Sequence, residues 1–300
     1  MEVFFLQIFN SLSVGSILLL VAIGLSIIFG IMKVINMAHG ELIMIGAYMT
    51  YLIQNLFLKT MPEYLNYFYF FALPASFIAA GFTGFILEKG IIRFLYGRPL
   101  DTLLVTWGIS LIFQQMARNI FGAPNVEVKT PSWLQGGFEI MDSLQLPFPR
   151  LFILVIAFLS VCGIYLYIYR TKSGCTMRAV MQNRQMASCI GINTKKVDAF
   201  NFALGSGLAG VAGCALCLLG PIGPSLGTYY IVDAFLVVVL GGVGKISGTI
   251  LAAFIIGFLN TTFEFSSTAT MGKVLALIIV IIFLQWKPSG LIALKTRALE

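Results

Sequence analysis

The residues best suited to chemistry in this chain are few. His39, the single histidine, stands two residues before Glu41 in the stretch INMAHGELIMIGAY. An imidazole beside a carboxylate can act as an acid and base pair or begin a metal site. The usual zinc sets need three or four ligands, and no Ser, Cys or His nearby completes a nucleophilic arrangement. The alternative is polar contact without catalysis. A charge at the centre of a bilayer is unfavourable by about 2.5 to 3.5 kcal/mol, so at depth Glu41 would face a partner or a wet cavity. At a cytoplasmic helix start it would instead complement the N-terminal dipole. A second set, Thr106, Trp107, Ser110 and Gln114, sits in an otherwise apolar run, and its members 106, 110 and 114 are spaced by four. One helical face would therefore offer groups that hold a small neutral solute such as an amide, or that bond helix to helix. With Asn36, these residues form a candidate solute pathway.

Two further motifs match chemistry poorly. Gly205, Gly207 and Gly210 satisfy G-x-G-x-x-G, yet no strand precedes them, and small residues at 205, 209, 213 and 217 suit close helix packing. GGVGKIS at 241 to 247 looks like a phosphate loop, but Val239 replaces its first glycine and Ile246 its magnesium-binding hydroxyl. The chain is thus expected to be no enzyme, to need no cofactor or metal, and to take any ATP energy from another subunit.

The elements that must position these residues are read from composition. Of 300 residues, 59% are hydrophobic and 10% charged, with mean hydropathy +0.95. That excludes an ordinary soluble enzyme and predicts an all-α polytopic membrane helix bundle of about eight to ten transmembrane helices. Nine apolar runs fall near 11–31, 41–58, 68–92, 102–121, 150–169, 198–220, 231–243, 246–263 and 272–286. The run 231–243 is short, contains Asp233 and ends in glycines, so it either crosses or dips in. With the N-terminus outside and every run crossing, the inner connections and the C-terminus carry 14 of the 19 basic residues. The net charge of +7 is then explained by a cytoplasmic face beside membrane lipid rather than by nucleic acid.

A single transmembrane domain spans 1–300, with a cytoplasmic loop at 170–197 and an exterior loop at 122–149 that reads either as an ordered cap or as a solvated connection. An internal repeat aligns 29–48 with 237–256, placing Gly40 opposite Gly248, each stretch broken near a lysine, Lys33 or Lys245. Broken helices at matching positions of two halves point to a transport pathway, although two apolar stretches can also agree by chance. The five cysteines, at 162, 175, 189, 214 and 217, lack metal-ligand spacing and read as small buried packing residues. The N-terminus lacks a basic n-region and a cleavage pattern, so the first hydrophobic segment is expected to be retained.

The loop RTKSGCTMRAVMQNRQMASCIGINTKKV, residues 170–197, has six basic residues and no acidic one. Between Thr176 and Ile190 it lacks Pro and Gly, which predicts a short helix ended by Gly191. Such a helix could also lie on lipid. Its Arg178, Ala179, Asn183, Ala187, Gly191 and Ile192 resemble the coupling loop of ABC importer permeases of the branched-chain amino acid class. Residues 24–48 and 237–253 resemble two further signatures of that family, and the resemblance spans nearly the whole chain. Residues 101–137 and 287–297 resemble its urea permeases. Val105 and Lys245 depart from the family's pattern.

The resemblance implies an inner-membrane subunit with a cytoplasmic C-terminus. It also implies a second permease subunit, two cytoplasmic ATP-binding subunits and a periplasmic solute-binding protein. The solute would be urea, or alternatively a branched-chain amino acid or short amide. A passive urea channel and a membrane-embedded enzyme using His39 and Glu41 are rival readings.

Overall fold

The computed structural model describes residues 2–32, 36–141, 144–266 and 268–292. Lys33 and the end of the tail, 293–300, lie outside them, and with these part of the repeat and of the urea-like ending.

The chain forms eleven α-helices among the described residues: α1 Glu2–Met32, α2 His39–Thr60, α3 Phe68–Gly90, α4 Pro99–Phe121, α5 Phe148–Arg170, α6 Lys172–Gln182, α7 Arg184–Cys189, α8 Thr194–Leu216, α9 Leu226–Gly241, α10 Ile246–Ser266 and α11 Ala269–Trp286. Each of the nine apolar runs lies on one of the helices α1 to α5 and α8 to α11. Among the described residues, six spans are long and apolar enough to cross a membrane: Leu6–Met32, His39–Thr60, Pro62–Gly90, Phe148–Arg170, Thr194–Leu216 and Ile246–Phe265. α4 is as long as most of these but is interrupted by its hydroxyl and amide residues. α9, with 16 residues, would rise about 24 Å as a helix, short of a bilayer core of about 30 Å.

α1 and α8 form the centre. α1 packs on α10, α8, α9 and α5, while α8 packs on α3, α1 and α2. α1 is apolar on every side, as a helix enclosed by neighbours must be. α8 owes its close approaches to small residues: a Cβ on Gly205 would strike α1 at Gly24 and Ile28, and one on Gly213 would strike the α2 backbone at Ile43. The G-x-G-x-x-G match is therefore a packing surface. The loop at 241–247 is likewise structural. Gly242 and Gly244 have positive φ (96° and 76°), and the segment after α11 covers the turn through Leu291, whose N–H donates to the Leu240 carbonyl at 2.8 Å.

The loop at 122–149 packs against the bundle. It contains a 3-10 turn, Ser132–Leu134, and a short hairpin of β1 Gly137–Met141 and β2 Leu144–Pro147, which the sequence reading had not foreseen. Trp133 stacks on Phe70 and donates to the Asn66 carbonyl at 2.8 Å, and Gln54 of α2 donates to the Lys129 carbonyl at 3.0 Å. Val126 bridges to Ile222 with two backbone bonds of 2.8 Å. Cys214 and Cys217 are buried as expected, but Cys175 and Cys189 are exposed, because the loop that carries them projects from the bundle.

Candidate functional site

The break between α1 and α2 turns on Asn36, whose side-chain oxygen accepts the Ala38 N–H at 3.0 Å. It delivers His39 and Glu41 into the first turn of α2, both buried. The two sequence readings of Glu41 thus coincide: it lies at a helix start and also faces a partner helix.

That partner is α4. Ser110 Oγ and Gln114 Nε2 each donate to Glu41 Oε1 at 2.9 Å, and Gln114 also donates to Thr228 Oγ1 of α9 at 3.1 Å. One turn earlier, Thr106 Oγ1 accepts the Met37 N–H at 3.1 Å. The spacing of four places all three α4 side chains on the side that meets α2. Asn36, His39, Glu41, Thr106, Ser110 and Gln114 are therefore brought together. Trp107 is not, since the next helical position turns it outward and leaves it 56% exposed. α4 meets the bundle chiefly through α2 and the 3-10 turn Ile92–Leu95.

The cluster is incompletely satisfied. Among the described residues, Glu41 Oε2, Asn36 Nδ2 and both ring nitrogens of His39 are buried with no well-formed hydrogen bond, the Val21 carbonyl lying near the ring. An unpaired buried polar group is costly, and a solute that supplies donors and acceptors removes that cost. Tyr48, seven residues beyond Glu41, adds another hydroxyl unpartnered among the described residues and stacks on Phe121 of α4 at 4.2 Å. Sequence reasoning missed it, although two helical turns put it on the same face as Glu41. Thr228 was also missed; no periodic signal tied α9 to α4.

The basic loop at 170–197 folds as two helices, α6 and α7, rather than one. The chain extends at Asn183 (φ −152°), whose side chain caps α7 by accepting the Met186 N–H at 3.0 Å. Asn183 is thus a cap as well as an exposed residue. Gly191 turns with φ 86°, as the predicted helix end requires. Arg178 and Gly191 are exposed, and Ala179 and Ile192 half-buried. Ala187 is buried against its own chain and so is unable to serve as a docking residue directly. Instead Met186 and Ile190, 63% and 74% exposed, present apolar side chains beside the loop's basic ones.

The expectation that a solute path runs through this polar cluster has a direct test. Thr106→Val and Gln114→Leu, properly assembled with partner subunits, should each lower the initial uptake rate by about fivefold or more, the cost of losing one to two buried hydrogen bonds. Wild-type rates in both would remove these residues from the path.

Residues 7–284 match the model of a family described as branched-chain amino acid transport system / permease component. The chain is 30% identical to the high-affinity branched-chain amino acid transport system permease protein BraD of Pseudomonas aeruginosa, over 95% of this chain and 94% of that protein. It is 29% identical to the corresponding protein LivH of Escherichia coli K12, over 96% and 95%. It is also 27% identical to the ribose import permease protein RbsC of Escherichia coli K12, over 70% and 65%. No solved structure matches.

Proposed function

The chain belongs to the family of branched-chain amino acid transport system permease components, and from that premise we propose that it is the membrane-spanning subunit of an importer driven by ATP hydrolysis on partner subunits. A periplasmic binding protein delivers solute at the face covered by residues 122–149. A helix bundle, working with a second permease subunit, then alternates its access. The motor grips α6 and α7 from the cytoplasm. The concentration of basic residues at 170–197, at the other inner turns and in the tail supports that orientation and a cytoplasmic C-terminus.

The observation that carries this reading is the pairing of two features in one structure. An incompletely satisfied polar cluster lies inside the helices, and a basic loop displays bare apolar side chains at Met186 and Ile190. A passive channel would have no use for the second feature.

For the solute, the names of the relatives support a branched-chain amino acid, whose ammonium group suits the free Glu41 oxygen. Urea is a second reading. The stretch 101–137 resembles urea permeases, and it contains the hydroxyl and amide groups that, with the Glu41 carboxylate, could bind a planar neutral amide.

The deciding measurement is accumulation of radiolabelled leucine or urea by vesicles containing the whole complex. Uptake should stop when the ATPase is inactivated and persist when membrane potential is dissipated. Uptake that survives ATPase inactivation would overturn the importer reading. At the loop, Gly191→Val forces a β-branched residue into positive φ, and Ala179→Trp adds bulk at the motor contact. Both should leave the protein inserted, while uptake falls about tenfold and ATP hydrolysis continues. Normal uptake would count against docking there.

A further inference from the structure

A network of side chains joins the coupling loop to one wall of the polar cluster and to the end of α1. Arg184, the first residue of α7, pairs through its guanidinium with the buried carboxylate of Asp198 on α8. The same guanidinium lies over the ring of Tyr96, 5.2 Å from its centroid. Tyr96 stands in the turn between α3 and α4. Its hydroxyl donates to Glu88 Oε1 at 2.9 Å and lies 3.4 Å from the sulfur of Met32, the last residue of α1. Arg93 closes the group, donating to Glu88 Oε2 at 3.0 Å and to the Lys195 carbonyl at 3.5 Å.

The tyrosine is well placed to transmit movement. Only Gly97 and Arg98 separate it from α4, and the junction is stiffened by Thr102, whose hydroxyl is bonded to the carbonyls of Leu95 (3.1 Å) and Arg98 (2.8 Å). Four residues beyond Thr102 is Thr106, which holds the Met37 N–H. The other neighbour of Tyr96, Met32, ends the helix that leads into Asn36 and Glu41. Burial and the charges of Asp198 and Glu88 raise the Tyr96 pKa, so the hydroxyl stays a donor at any physiological pH. A planar guanidinium over an aromatic face, also held by a carboxylate, resists sliding more than apolar contact does.

We infer that Tyr96 and Arg184 form a clasp through which movement of the coupling loop reaches α4, one wall of the Glu41 cluster, and the end of α1, which precedes the turn into its other wall, α2. Both are positioning residues, and neither needs to touch solute. The inference rests on the importer reading above and names the route by which that importer's motor acts on its pathway.

The test uses the assembled transporter in vesicles, with labelled leucine or urea as the probe, whichever the wild type accumulates. The readout is uptake per ATP hydrolysed. Tyr96→Leu should lower that ratio about fivefold to tenfold with the ATPase subunits still bound, within the range of mutations along coupling routes. Tyr96→Phe, which keeps the ring under Arg184, should retain most of it. Arg184→Gln should resemble Tyr96→Leu, and the double variant should be no worse than either single one, because both break one connection.

A wild-type ratio in Tyr96→Leu, or losses that multiply in the double variant, would overturn the clasp. If Tyr96→Leu fails to insert, Arg184→Lys decides. It keeps the pairing with Asp198 but loses the planar face, and an unchanged ratio there refutes the proposal. Failure of the importer reading itself shows differently, as wild-type uptake that is indifferent to the ATPase.

Discussion

Glu41→Leu is expected to reduce initial uptake by the assembled complex at least about tenfold, with the protein still inserted. The carboxylate accepts hydrogen bonds from Ser110 and Gln114, both at 2.9 Å. Leucine would leave those donors facing an apolar side chain, and a buried polar group stripped of its partner costs about 1 to 3 kcal/mol. A penalty of about 1.4 kcal/mol is already a factor of ten. The variant also removes the free oxygen, Oε2, that would receive a solute N–H. Glu41→Gln separates the two effects. It keeps an oxygen for Ser110 and Gln114 but gives up the charge, so α4 should stay docked. If the solute carries an ammonium group, Glu41→Gln should transport nearly as poorly as Glu41→Leu. If it is a neutral amide, much of the rate should return. Wild-type uptake by Glu41→Leu, measured per inserted permease, would take this cluster out of the pathway.

The second large effect is on stability. Gly213→Val should destabilise the protein by more than about 3 kcal/mol, because overpacking that cannot relax through a side chain must displace backbone. A Cβ at Gly213 would overlap the Ile43 carbonyl oxygen and crowd the Ala47 N–H of α2, and all three of its nearest contacts are backbone atoms. The crossing of α2 and α8 would have to open. Gly163→Val is the matched control. Gly163 lies on α5, and a Cβ there meets nothing within 4 Å, so the same substitution should shift the melting temperature little. Thermal unfolding of the purified variants in one detergent compares them. Equal melting temperatures would mean that the α2 and α8 contact is looser than described.

Much of the fold was legible because burial in a bilayer must be written in composition. Nine apolar runs each became a helix, and the uncharged polar residues at 106, 110 and 114 became one helix face, since period and hydropathy are local properties of the chain. The same locality explains the misses. Trp107 was grouped with its neighbours by sequence adjacency, yet a helix turns each successive residue by about 100° and sends it outward. Ala187 matched a motif of the docking loop, but only packing decides that it is buried while Met186 and Ile190 are bare. The single helix expected over 176–190 breaks at Asn183, where a side-chain cap competes with helical continuation.

The amino-acid sequence by itself determined the class of molecule, the helices and the residues too polar for their surroundings, because the free energy of placing each side chain in lipid or water depends on that side chain and its near neighbours. Only the tertiary structure decided that Glu41 meets Ser110 and Gln114, that Tyr48 and Thr228 border the same place, and that Arg184 reaches Tyr96. Those pairs lie between 69 and 88 residues apart in most cases, and contacts of that kind are set by how separate helices come together, a property no single segment possesses.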